Sequence, residues 1–199
     1  PGARLANVSK AQRGFALATE QTGSIIPLSF VPLKPDTQVL NGLQQIASYA
    51  LQYWQHHEHL YLQHQLPALS NVRDGVNLMH QALLLFAPHI PKSLSRSWFA
   101  DLNWLSSKLK YIDNYQALST LIADKGLYIK KLDKIKALKP ALKQEFKGLP
   151  HYKKMKRLLT SSRYCTLILN ISAWLIGLSK MTPLSGLPSF TEFASQALK

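Results

Sequence analysis

Acid is what this sequence has least of. Its 199 residues hold ten Asp and Glu against 24 Lys and Arg, a formal net charge of +14 and a pI near 9.9. A surface so short of counter-charge favours polyanions as partners: nucleic acid, anionic lipid or inorganic phosphate chains. Cysteine is almost absent too. The single Cys165, within "RYCTLILNISAWL", rules out an intrachain disulfide and reads as a small buried hydrophobe in a reducing compartment, the cytoplasm. No apolar run is long enough to cross a bilayer, because the longest, Tyr164 to Leu178, is interrupted by Asn170 and Ser172. No membrane partner is expected.

The usual signatures of catalysis are missing as well. There is no G-x-S-x-G nucleophile elbow and no GxxxxGK[ST] phosphate loop, and the few carboxylates are scattered rather than paired. No catalytic residue and no cofactor is expected. With 46% apolar and 17% charged residues, the chain is neither disordered nor membrane-embedded, and it can bury a real core. The opening "PGARLANVSKAQRGFALA" has no initiator methionine and no apolar core of a signal peptide, and reads as the interior of a longer protein.

What is present is helical. Ser9 followed by Gln12 reads as a capping box. "SIIPLSFVPLKPD" then carries Pro27, Pro32 and Pro35, which forbid helix and suggest an extended linker. Asp36 or Thr37 caps a long helix whose apolar positions Leu40, Leu43, Ile46, Ala47, Ala50, Leu51 and Trp54 recur at three and four, ending near His64. Pro67 turns the chain into a second helix with Val72, Val76, Met79, Leu83 and Phe86 on one face. After "APHIPKS", Ser95 caps a third helix with Trp98, Leu102, Leu105 and Leu109 inward, extending toward Leu118 and Ile122. A long helix is expected from about His151 to Leu178, and a last one over "FTEFASQALK". No strand pattern follows Pro35. The fold class is all-α, an antiparallel four-helix bundle with additional short helices.

The basic residues are not evenly spread. "YIKKLDKIKALKPALKQEFKGLPHYKKMKR", Tyr128 to Arg157, holds eleven of them against Asp133 and Glu145. Leu132, Ile135, Leu138, Leu142 and Phe146 fall on one side, and Lys136, Lys139, Lys143 and Lys147 climb the other. Lys153, Lys156 and Arg157 again share a face, and Arg163 continues the set. Such a stripe is often only a solvated surface. Here the scarcity of acids leaves like charges repelling, which favours an anion site.

"HHEHLYLQH" invites a metal reading, with His56 and His59 three apart and His57 and His64 seven apart. Imidazoles from one helix do not supply three or four converging ligands, so no metal site is assigned and the run is read as a polar outer face. The tryptophans Trp54, Trp98, Trp104 and Trp174 fall on inner stripes, which argues core packing over base stacking. Tyr128, Tyr152 and Tyr164 border the basic region and keep nucleic acid open as a second choice.

The order of these segments resembles a known family. "VSKAQRGFALA" and a proline-bearing linker precede "YWQHHEHL", then "LSNVRDGVNLMHQALLLFAPHIP", "LNWLSSKLKYIDNYQAL" and "SSRYCTLILNISAWL". This looks like the C-terminal part of bacterial inorganic triphosphatases, in which a CYTH catalytic domain is followed by a CHAD (conserved histidine α-helical) domain. The resemblance implies residues 1–35 as the tail of a CYTH-type domain plus linker, and residues 36–199 as the first half of a CHAD-like fold of two pseudo-symmetric bundles. It also implies a basic surface that binds inorganic polyphosphate, with the preceding CYTH domain as a second partner. The Mg²⁺-holding carboxylates would belong to that CYTH domain.

Two family motifs are altered here. The second-helix pattern V-H-x-x-R-V-x-x-R-R-x-R, anchored on Leu85–Phe86, puts Leu69 at the valine, Ser70 at the histidine and Arg73 at the first arginine. Asn77 and Leu78 stand where two arginines belong, and His80 where the last does. The pattern L-x-W-L-x-x-x-L-G-x-x-R-D-x-D keeps its apolar half as Leu102, Trp104, Leu105 and Leu109, then reads Lys110, Asp113, Asn114 and Gln116. The polyphosphate set expected from charge and resemblance is therefore Arg73, His80, Lys136, Lys139, Lys143, Lys153, Lys154, Lys156, Arg157 and Arg163. Binding is expected to have moved from the second helix toward the lysine-rich connection and the start of the fourth long helix. A scaffold that has lost its ligand, serving only to orient the catalytic domain, is the rival expectation.

Overall fold

The computed structural model describes residues 23–90, 92–110, 152–180 and 189–197. Six α-helices and one 3₁₀ turn lie within them, and no strand; Gln38 and Ser189 form an isolated β-bridge. We number the helices α1 Val39–Leu62, α2 Ala68–Leu85, α3 Lys92–Leu109, α4 Tyr152–Leu159, α5 Ser162–Lys180 and α6 Phe190–Ala197, with the 3₁₀ turn Ala87–His89 between α2 and α3.

α1 starts later than its polar residues suggest. The Thr37 amide bonds Lys34 O at 3.0 Å, closing a turn with Pro35 at its second position. Asp36 and Thr37 are thus used in the turn, and Gln38 becomes the N-cap with no side-chain capping bond. At the other end the helix stops in a Schellman motif: Gln65 N reaches Leu60 O at 3.0 Å and His64 N reaches Tyr61 O at 3.0 Å. The left-handed position belongs to His64, at φ 70°, where glycine would be the strain-free choice. Pro67 then opens α2, which returns antiparallel to α1.

The two helices approach closely at Gly75. A Cβ built there would lie 2.7 Å from Trp54 Cβ and 2.9 Å from Trp54 Cα, so only glycine lets the backbones meet. That close approach seats Trp54 at the centre of the core, beside Val72, Val76 and Met79 of α2. Burying a side chain of this size contributes roughly 2–3 kcal/mol.

α3 lays Trp98, Leu102, Leu105 and Leu109 into the same core, the stripe expected from spacing. It begins at Lys92, a turn before Ser95, so Ser95 is not its cap. The anticipated extension toward Leu118 and Ile122 lies outside the described residues. The expected helix from His151 is two helices. Thr160 Oγ1 turns back to Lys156 O at 2.9 Å, and Ser161 Oγ accepts the Tyr164 amide at 3.3 Å as the N-cap of a new helix. α5 then runs antiparallel to α1, fixed by Trp54–Tyr164 near one end and Gln44–Leu175 near the other. α3 meets it through Trp98 and Trp174, ring centroids 4.7 Å apart. α1, α2, α3 and α5 form the antiparallel four-helix bundle, with α4 and α6 as short additions.

α6 has a reciprocal capping box. The Ser189 amide bonds Glu192 Oε2 at 2.8 Å while Ser189 Oγ accepts the Glu192 amide at 3.3 Å. Phe193 stacks on Phe86 at 5.0 Å, and Phe190 N bonds Thr37 O, which docks this helix where α1 begins. No helix of the described residues is long and apolar enough to cross a membrane.

Candidate polyanion site

α4 is eight residues, YKKMKRLL, and its pattern decides its orientation. Met155 and Leu159 are buried, so Lys153, Lys154, Lys156 and Arg157 are pushed outward and exposed. No acid stands in its first turn, where the exposed helix N–H groups already present partial positive charge. Among the described residues, none of the four makes an ion pair. Lys153 and Lys154 at the positive end of a helix dipole are unfavourable unless an anion shares the site.

Tyr152 ties α4 to the end of α1. Its hydroxyl donates to Leu62 O at 3.1 Å, and its ring stacks on His64 at 4.5 Å between centroids. Lys156 Nζ lies 5.9 Å from the same ring. The sequence gives no direct sign of this arrangement, because it depends on His64 taking the left-handed turn. The α1 end, the α3 end with exposed Lys108 and Lys110, and α4 all face one end of the bundle.

The other expected ligands among the described residues are dispersed. Arg163 stands on the first turn of α5 but turns to α3: its Nε and one terminal nitrogen each lie 2.8 Å from Asp101 Oδ1, and its guanidinium covers the Trp104 ring at 4.3 Å. Arg73, on α2, pairs with the neighbouring Asp74 at 3.2 Å. His80 is half-buried on α2, edge-on to Phe99 of α3 at 5.5 Å. It sits about 10 Å along the helix from Arg73, from a rise of about 1.5 Å per residue. Lys136, Lys139 and Lys143 lie outside the described residues.

Among the histidines of the histidine-rich run, only His59 and His64 lie on an exposed polar face. His57 is fully buried and Glu58 nearly so. Glu58 is four residues after Trp54 and so continues the inner stripe, a signal present in the spacing. Tyr164 accepts the Trp54 indole N–H at 2.8 Å and donates its own proton to Glu58 Oε2. His57 donates Nδ1–H to Tyr53 O at 2.8 Å, and burial, ahead of every other influence, lowers its pKa below 6.5. Tyr53 is pushed up, first by burial, while its hydroxyl accepts from Asn71 at 2.7 Å. Trp104, Trp174 and Cys165 are only partly buried at the core's edge. No three metal-ligating side chains converge among the described residues.

The fold has a solved counterpart. The crystal structure of the CHAD domain from the plant Ricinus communis superposes with a TM-score of 0.61 at 21% identity, covering 88% of this chain. The chain spans only 57% of that structure's length. At that identity the likeness speaks for the fold alone. The family model of the CHAD domain matches residues 45–199, most of the sequence, and the chain belongs to the CHAD domain family.

Proposed function

We propose that this chain is a non-catalytic accessory domain that binds inorganic polyphosphate through the outer face of α4. The observation that carries the reading is Lys153, Lys154, Lys156 and Arg157 standing exposed on one short helix, without an acid partner among the described residues. A phosphate chain has repeated charge and no bases to read. Flexible lysines with one forked arginine suit it. Lys136, Lys139 and Lys143, which precede this helix in sequence, are proposed as further ligands of the same phosphate chain.

Nucleic acid is the weaker reading of the same charge. The aromatic ring nearest the cations, Tyr152, is stacked on His64 and its hydroxyl is already donated to Leu62 O. Base stacking on it would require breaking that pair. Arg73 and Arg163, each facing a carboxylate, act first as structural groups, which is what the scaffold reading expects of the whole surface. The similarity of the segment around Ser9–Gly14 to the end of a CYTH domain supports attachment to an inorganic triphosphatase.

The test is a titration with long-chain polyphosphate and with single-stranded RNA of equal charge, from about 50 to about 200 mM salt. Polyphosphate should bind more tightly than RNA, with affinity falling steeply as salt rises. Binding that ignores ionic strength would overturn the mechanism. Equal affinity for both polymers would return the surface to nucleic acid, and no binding to either would leave the scaffold.

A further inference from the structure

The residues before α1 are docked on it, and not by apolar burial. From Gly23 to Leu33 the chain runs antiparallel to α1. Gly23 O accepts from Gln65 Nε2 at 3.0 Å, Ser24 O from His56 Nε2 at 2.9 Å, and Ser29 N donates to Tyr49 Oη at 2.8 Å. Between them, Ile26 N donates to His57 Nε2 at 3.3 Å. Meanwhile Ile25, Ile26 and Leu28 remain more than 40% exposed and Phe30 is 87% exposed. The segment is held by a few polar contacts.

One of these contacts exists in a single protonation state. His57 already donates from Nδ1 to Tyr53 O, so it can accept from Ile26 only while Nε2 carries no proton. His56 differs, because it donates to Ser24 O and can do so neutral or charged. We propose that Gly23–Leu33 is a strap latched to α1 by the neutral His57 ring, and that protonation of this ring releases it.

The surroundings make the latch responsive. On α1, His57 faces the Tyr53 ring at 4.3 Å and the His56 ring edge-on at 5.0 Å. From α2 the Asp74 carboxylate acts on it weakly in the opposite sense, and the strap itself has no titratable side chain between Gly23 and Leu33. Burial is the largest influence and disfavours the charged ring. Docking is therefore at full strength above 6.5, the ring's ordinary value, weakens as pH falls from there to the lower value of the docked state, and loses no more below it. Because the strap connects residues 1–22 to α1 in sequence, its release would free that connection.

Amide hydrogen exchange on the 199-residue chain tests this, corrected for intrinsic rates at each pH. Between about pH 7.5 and about pH 5, protection at Ile26 and Ser29 should fall, by at most about tenfold per pH unit between 6.5 and the docked-state value and levelling off below it, while Val72 and Met79 in α2 keep theirs. His57→Gln offers a carboxamide oxygen to Ile26 and should abolish the pH response; His56→Gln should leave it. Unchanged protection in the wild-type chain overturns the proposal, as does a His57→Gln chain that keeps the response. Should His57→Gln fail to fold, the wild-type chain still decides: the His57 ring and the Ile26 amide must share one titration midpoint, and separate midpoints overturn the latch.

Discussion

Trp54 and Tyr164, from helices at opposite ends of the sequence, are joined by an indole N–H donated to a phenolic oxygen at 2.8 Å, with the rings edge-on at 5.8 Å. The same hydroxyl donates to Glu58. Tyr164→Phe keeps the ring and removes the oxygen that both groups use. We expect a loss of about 1–3 kcal/mol in chemical denaturation, because buried polar groups lose a partner while packing is unchanged. A change within error would mean that Trp54 and Glu58 are satisfied elsewhere.

Gly75→Ala pits two effects against each other. Alanine is favoured over glycine inside a helix by up to about 1 kcal/mol. Against that, the new methyl would stand 2.9 Å from Trp54 Cα, a backbone atom that cannot swing away. Forcing helices apart in a packed core costs roughly 1–3 kcal/mol, so steric cost wins and the melting temperature should fall. A stabilised variant would show that α1 and α2 can separate freely.

The α4 face is checked by comparing charge removals. Changing Lys153, Lys154, Lys156 and Arg157 together to glutamine should weaken polyphosphate binding. The slope of log affinity against log salt should fall by about one for each phosphate that these cations neutralise. Arg163→Gln should leave binding nearly intact and lower stability by up to about 1 kcal/mol, since its exposed ion pair with Asp101 is a surface bridge between helices. If Arg73→Gln abolishes binding while the fourfold variant retains it, the site lies on α2 and this assignment fails.

Ser161→Ala addresses the division between α4 and α5. Losing the bond from Ser161 Oγ to the Tyr164 amide should cost about 1 kcal/mol, with glycine at this position costing only a few tenths. Equal losses for both replacements would mean that the hydroxyl is not acting as a cap.

The inner stripes are legible because repetition at three and four survives any detail of packing: Val72, Val76, Met79 and Leu83 are all buried, as are Leu102, Leu105 and Leu109. Single hydrogen bonds that end or split a helix are not. The pair Thr160–Ser161 is compatible with continued helix until both hydroxyls turn to the backbone. The outward placement of the α4 cations follows from Met155 and Leu159, whereas the engagement of Arg163 with Asp101 spans 62 residues and leaves no local trace. His57 escapes a reading by pattern because imidazole suits either a wet surface or a satisfied interior, and only its two partners distinguish them.

The separation of Trp54 and Tyr164, 110 residues along the chain, also bears on how the bundle assembles. α1, α2 and α3 are joined by short connections and meet through local hairpins, whereas α5 is separated from α3 in sequence by residues 110–161 and packs through contacts between distant residues. The first three helices should therefore gather early and α5 dock late, so that a core substitution such as Ile171→Val chiefly speeds unfolding, while Val76→Ala chiefly slows folding. Stopped-flow measurement of both variants separates the two steps, and equal partition of their effects between the rates would show that the four helices condense together.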